Sequence, residues 1–256
     1  MFDTHMHTKF STDSKMKIEE VIYKIKKYNL GAIITEHVDL NYKDSSLFRI
    51  DPDDYFKSYS SYRTDKLLLG VEIGMSNKFS HEYENLITNY SFDYVIGSLH
   101  EMYDIDLFEA DELYKSKSKK ELYEEYFAQM VSCINEHPFI DSLGHIDYIC
   151  RYAKYEDTEI YYEDYKESIE EVLKTIIDKG IAMELNARRL GDKEVVNNLL
   201  KIYARYYELG GRFITIGSDA HTSEAIGSHF NIANDMAELC NLKMIYFKDR
   251  KMELVR

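Results

Sequence analysis

The chain has 256 residues, 45% hydrophobic and 30% charged, which gives apolar mass for a sizeable core and argues against disorder. With 32 basic and 46 acidic residues the formal charge is −14, which argues against a nucleic-acid partner, because sequence-independent duplex affinity comes from basic groups neutralising phosphates. A small anionic substrate stays open, since it responds to the local field of metals and arginines.

Cys133, Cys150 and Cys240 are odd in number and lack any CxxC, so neither a disulfide framework nor a thiolate zinc site is indicated. The start, Met1-Phe2-Asp3-Thr4-His5, has no basic segment followed by an apolar one, and no apolar run approaches the ~20 residues of a membrane span. The expectation is a soluble cytoplasmic protein with no membrane partner; the pattern fixes no oligomeric state.

In chain order, Met1–Thr4 reads as a weak first strand, followed by His5 and His7. Asp13 comes six residues after His7, and its spacing alone reads as a turn or capping aspartate before a helix over Ile18–Tyr28. Strand Ala32–Thr35 leads into Thr35-Glu36-His37, and the region from Tyr42 to Lys66 fits neither periodicity. Strand Leu67–Ile73 carries Glu72, and strand Tyr94–Leu99 is followed by His100. The charge-rich stretch Tyr114 to Lys120 leads into a helix over Glu121–Glu136. Strand Ile140–Leu143 is followed by Gly144-His145-Ile146-Asp147, with Arg151 six residues past His145. In the helical stretch Tyr162–Lys179, Ile169, Val172, Leu173, Ile176 and Ile177 keep i, i+3, i+4 spacing. Strand Ile181–Leu185 opens onto Glu184-Leu185-Asn186-Ala187-Arg188-Arg189, and a helix over Lys193–Leu209 follows. Strand Phe213–Ile216 leads to Gly217-Ser218-Asp219-Ala220-His221 and a helix over Glu224–Leu239.

Only Pro52 and Pro138 punctuate the chain, and no repeat or flexible linker divides it, which predicts one domain spanning residues 1–256. Strand–helix alternation favours a parallel sheet, and about seven units in one domain favour a closed barrel over an open sheet.

The histidines select one end of these strands. A single histidine after a strand is ordinarily a surface or hydrogen-bonded core residue. Independent structural histidines, however, have no reason to choose the same end of successive strands. In a parallel barrel those ends share one face, where barrel enzymes carry their sites. Positions i and i+2 of an extended chain point the same way, so His5/His7 and Asp219/His221 can each aim two groups at one point. Neutral imidazoles and carboxylates together suit zinc, iron or manganese. His81, His137 and His229 lack the pattern and read as a helix-start, a helix-end and a loop residue. Tyr203, Tyr206 and Tyr207 have helical spacing and read as packing.

The ordered set His5-x-His7, Asp13, His37, Glu72, His100, Gly144-His145 and Asp219-x-His221 resembles the polymerase-and-histidinol-phosphatase (PHP) superfamily, over nearly the whole chain. The length, the Gly-Ser-Leu-His100 and Gly-His145-Ile-Asp segments and the tail Ile245–Lys251 most resemble monofunctional bacterial histidinol-phosphatases. The resemblance implies a distorted (β/α)7 TIM-like barrel with up to three divalent ions. By that likeness His5, His7, Glu72 and Asp219 hold one metal, and Glu72 bridges to a second completed by His100 and His145. Asp13, His37 and His221 hold the third, which lifts Asp13 above its reading as a cap.

Clustered cations suit a phosphomonoester, because the substrate is dianionic and the transition state spreads charge over its oxygens. The implied reaction is hydrolysis of L-histidinol phosphate in histidine biosynthesis by a hydroxide bridging two metals, with Glu72 and Asp219 in the catalytic centre. Asp147 is a candidate leaving-group acid by proximity. Arg151 and either or both of Arg188 and Arg189 are candidate phosphate contacts, since a guanidinium fork binds oxygens in pairs. The segment after Glu184-Leu185-Asn186 is shorter and poorer in glycine than the family pattern. The alternatives are another PHP phosphatase, acting on phosphotyrosine or a nucleotide, and a PHP nuclease.

Overall fold

A computed structural model describes residues 1–255. Seven parallel strands follow one another in sequence order: β1 (Phe2–Asp3), β2 (Gly31–Val38), β3 (Leu67–Gly74), β4 (Val95–Ser98), β5 (Ser142–Leu143), β6 (Ala182–Asn186) and β7 (Phe213–Gly217). β2 and β3 are buried at every position, as strands covered on both faces must be. The ring closes between the chain following β1 and the chain following β7. Thr4 N–H donates to the Ile216 carbonyl at 2.9 Å, Asp219 N–H to that of His5 at 2.8 Å and His7 N–H to that of Ala220 at 2.8 Å. This is the expected distorted seven-stranded barrel.

Amphipathic helices wrap it. α1 (Ile18–Tyr28) buries Ile18, Val21 and Ile25 and leaves Lys26 and Lys27 outside. The helix Lys119–Glu136 starts at a capping box in which Ser118 and Glu121 satisfy each other's backbone N–H groups, so the charged stretch before it spans the end of a short helix, Asp111–Ser116, and the start of this one. Other differences from the sequence reading are local. The helix expected from Tyr162 begins at Lys166, after a turn, and the one expected from Glu224 is a short 3-10 turn followed by Phe230–Leu239. The unclassified region holds the helix Pro52–Tyr59, capped by Asp51, and Ser80–Asn89 is a helix that sequence periodicity did not mark. No helix among the described residues is long and apolar enough to cross a membrane.

The C-terminal tail forms a hairpin of β8 (Lys243–Lys248) and β9 (Lys251–Leu254), with β8 parallel to the start of β7. It packs beneath the strand starts, where Phe247 stacks on Tyr94 and Tyr246 on Phe2. That closes the end of the barrel opposite the histidines with a small apolar layer of Ile33, Leu68, Tyr94, Ile96, Ile245 and Phe247.

Candidate metal centre

Glu72 reaches inward from β3 and is fully buried. Five imidazoles surround its carboxylate: His5 at 3.2 Å, His7 at 3.4 Å, His37 at 3.1 Å, His100 at 3.2 Å and His145 at 3.0 Å. Asp219 lies 3.5 Å from His7 and 3.7 Å from both His5 and His221. Asp13 lies 2.9 Å from His221 and 3.7 Å from His37. All nine residues expected as ligands therefore form one cluster at the C-terminal ends of the strands. Asp219 adopts a left-handed backbone conformation, φ 53°, uncommon for a residue other than glycine but tolerated by aspartate.

The donors suit divalent cations. His5 Nε2 and His7 Nε2 face each other at 3.1 Å, and Glu72 Oε2, His37 Nδ1 and His100 Nε2 are buried without a hydrogen-bond partner. An unpaired buried polar atom costs about 1–3 kcal/mol, and ion coordination would satisfy these lone pairs. Triplets able to hold an ion include His5/His7/Asp219, His5/Glu72/His145 and His7/His37/His221.

The electrostatics favour ligand protonation states for four of these groups. Burial pushes the Glu72 carboxyl up, but the charges of His5, His100 and His37 outweigh it and hold it well below the carboxylate range. Asp219 is likewise held low against burial by Arg151 and His5. Burial, with His37 and His221 nearby, lowers His7, and burial with Arg151 lowers His145, so both favour the neutral imidazole.

Sequence reasoning passed over the carboxylates that orient these rings. Asp39 Oδ1 lies 2.8 Å from His100 Nδ1, and its other oxygen is 3.5 Å from His37 Nδ1. Glu184 Oε1 lies 2.6 Å from His5 Nδ1. Ser11, held by Glu36, sits 3.1 Å from His7 Nδ1. Asp39 was discoverable, because it stands at i+2 from His37 on an extended chain, the same rule that pairs His5 with His7.

The arginines diverge. Arg151, with an 8% exposed side chain, donates to Asp219 at 2.6 Å and to Asn186 Oδ1 at 3.2 Å, with Tyr148 beneath its guanidinium. Arg188 is 44% exposed and lies 3.5 Å from the same Asp219 oxygen. Arg189 turns away, donating to Asp147 at 2.7 Å and to Glu159. Asp147 is thus ion-paired with Arg189. His81 starts a helix, exposed, and His229 precedes one in a left-handed conformation; neither joins the cluster. His137 ends a helix but is buried, with its Nδ1 2.7 Å from the Cys133 carbonyl, and burial lowers its pKa. Beside the cluster a cavity of about 210 Å³ is lined by Asp13, His37 and His100, by Asp106, and by the rings of Phe48, Phe108, Tyr148 and Tyr152.

A PHP domain family model matches residues 3–188, which carry seven of the nine clustered residues. The chain belongs to the PHP domain family. A protein of Clostridium acetobutylicum named "Probable histidinol-phosphatase" is 54% identical over 253 residues, 99% of each chain. A histidinol-phosphatase of Lactococcus lactis is 29% identical over 228 residues, covering 87% of this chain and 84% of that one. A crystal structure of histidinol phosphate phosphatase from Lactococcus lactis, complexed with zinc, L-histidinol and phosphate, matches with a TM-score of 0.93 at 27% identity, covering 98% of both chains.

Proposed function

We propose that this PHP chain is a metal-dependent phosphomonoesterase whose substrate is L-histidinol phosphate, and that residues 1–256 act as one catalytic unit. The observation that carries the reading is the convergence of nine ligand-type side chains, Glu72 and Asp219 among them, in one cluster beside Arg151 and Arg188. The Lactococcus lactis structure, with zinc, L-histidinol and phosphate bound, supports it.

Glu72, with five imidazoles around it, is the group able to serve two ions, one with His5, His7 and Asp219 and one with His100 and His145. Asp13, His37 and His221 provide a third position. Zinc, iron or manganese held there would neutralise phosphoryl oxygens and supply an ionised water near neutral pH. Asp219 fixes Arg151, so the guanidinium is already oriented when a dianion arrives and little ordering is left to do. Arg188, more exposed, closes on the phosphate from the solvent side. Asp106 offers its carboxylate to the substrate ammonium, and the rings of Phe108, Tyr148 and Tyr152 flank the imidazole. Leaving-group protonation falls to Asp147 only if the Arg189 pair opens.

Metal analysis tests the framework. Undepleted protein should carry more than one divalent ion per chain, and chelation should abolish hydrolysis of histidinol phosphate until zinc or manganese is restored. Full activity in thoroughly chelated, metal-free protein overturns the reading.

A further inference from the structure

We propose that Glu184 is a positioning residue that couples retention of metal at His5 to the placement of the arginines that receive phosphate. The inference rests on the functional reading above, in which His5 and His145 are ligands and Arg151 and Arg188 contact substrate. Glu184 is fully buried on β6, and both its oxygens are committed. Oε1 accepts from His5 Nδ1 at 2.6 Å. Oε2 accepts the backbone N–H of His145 at 2.8 Å and the side-chain amide of Asn186 at 3.2 Å. The far end of that amide, Asn186 Oδ1, accepts from Arg151 at 3.2 Å and from the backbone N–H of Arg188 at 3.1 Å. One buried chain of hydrogen bonds thus runs from a ligand imidazole to both arginines.

The carboxylate decides the tautomer of His5. With Nδ1 carrying the proton toward Glu184, the lone pair of Nε2 faces His7, Glu72 and Asp219. No slack exists on this side of the ring, because a Cβ at Gly217 would strike both His5 and Glu184. Glutamine at 184 cannot replace this carboxylate, since its three partners are all donors. If its oxygen faces His5, its NH2 opposes the His145 N–H and the Asn186 amide. If its NH2 faces His5, the ring must protonate Nε2 and present a hydrogen to the metal side.

The experiment compares Glu184→Gln and Asn186→Ala with the unsubstituted protein, measuring zinc affinity by chelator competition and then kcat and KM for histidinol phosphate after zinc saturation. Glu184→Gln should bind its tightest zinc about 10- to 100-fold more weakly and, at saturation, show a raised KM. Asn186→Ala should keep zinc affinity and raise KM alone, which a merely structural defect would not separate. Imidazole nitrogen NMR of the unsubstituted, zinc-loaded protein gives a reading independent of whether either variant folds, and should find the His5 proton on Nδ1. A proton on Nε2, or a folded Glu184→Gln protein with unaltered zinc affinity, overturns the proposal. Failure of the unsubstituted enzyme to hydrolyse histidinol phosphate would instead overturn the functional reading, leaving the zinc and NMR results to judge Glu184.

Discussion

Arg188 and Arg189 are neighbours in sequence, yet only Arg188 lies beside Asp219, while Arg189 is held between Asp147 and Glu159. Arg188→Ala should therefore lower kcat/KM about 10- to 100-fold, the scale of one charge-assisted hydrogen bond at roughly 1.5–3 kcal/mol, with the melting temperature unchanged. Arg189→Ala should instead destabilise the fold by about 3–5 kcal/mol, because it strands the buried Asp147 carboxylate. Kinetics and thermal melts on both variants check the division; reversed roles refute it. Glu72→Gln should be the most damaging ligand change, costing more bound metal than His221→Ala, since one carboxylate faces five imidazoles whereas His221 sits at the rim. Elemental analysis of the two purified variants measures this. Eight of the nine clustered residues were legible from sequence because period-2 spacing and strand-end placement act locally, whereas Asp13 read as a cap by its spacing and was raised only by the family resemblance. The split between the two arginines was not legible, since it depends on partners 30 to 42 residues away in the chain.

At the scale of elements, the β8–β9 hairpin is fastened to the barrel floor by ion pairs. Arg250 donates to Asp141 at 2.6 Å, and Arg63 joins Asp249, at 2.9 Å, with the buried Asp93. Burial pushes the Asp141 carboxyl up from 3.8 to about 6 despite the adjacent Arg250. A carboxyl raised in the folded state binds its proton more tightly there than in the unfolded chain. Its contribution is therefore complete below about pH 4, is lost as pH rises through about 6, and is constant above. Relative to Asp141→Asn, the protein should lose up to about 3 kcal/mol of stability over that window, at about 1.36 kcal/mol per unit. Urea unfolding of both proteins from pH 4 to 7 tests this, and a pH-independent difference contradicts it. The tail entered the sequence reading only as a family likeness. Its strands are recognisable as a hairpin once Phe247 and Tyr246 have Tyr94 and Phe2 to stack on, a tertiary pairing that no local periodicity reveals.

At the scale of the whole molecule, the barrel was legible because β-branched runs alternate with amphipathic helices, and closure follows from seven such units. The helix Ser80–Asn89 is short and fully buries only Tyr83, with Leu86 and Ile87 half-buried against the core, so its apolar stripe is a brief one. The acidic balance of −14 is compatible with the proposed anion site because Arg151, Arg188 and any bound cations would set the field locally. The proposed function stands on histidinol phosphate being the preferred substrate. Under the proposed function the metal cluster should hydrolyse simple aryl phosphates as well, since the phosphoryl group carries much of the binding, and selectivity should then come from the cavity lined by Asp106, Tyr148 and Tyr152. The most direct test is steady-state kcat/KM of the metal-replete protein for L-histidinol phosphate beside p-nitrophenyl phosphate, a phosphotyrosine peptide and nucleoside monophosphates. Two or three oriented contacts should favour histidinol phosphate by at least about 100-fold, each tenfold step being about 1.4 kcal/mol. A flat profile, or a preference for the peptide or a nucleotide, would contradict it.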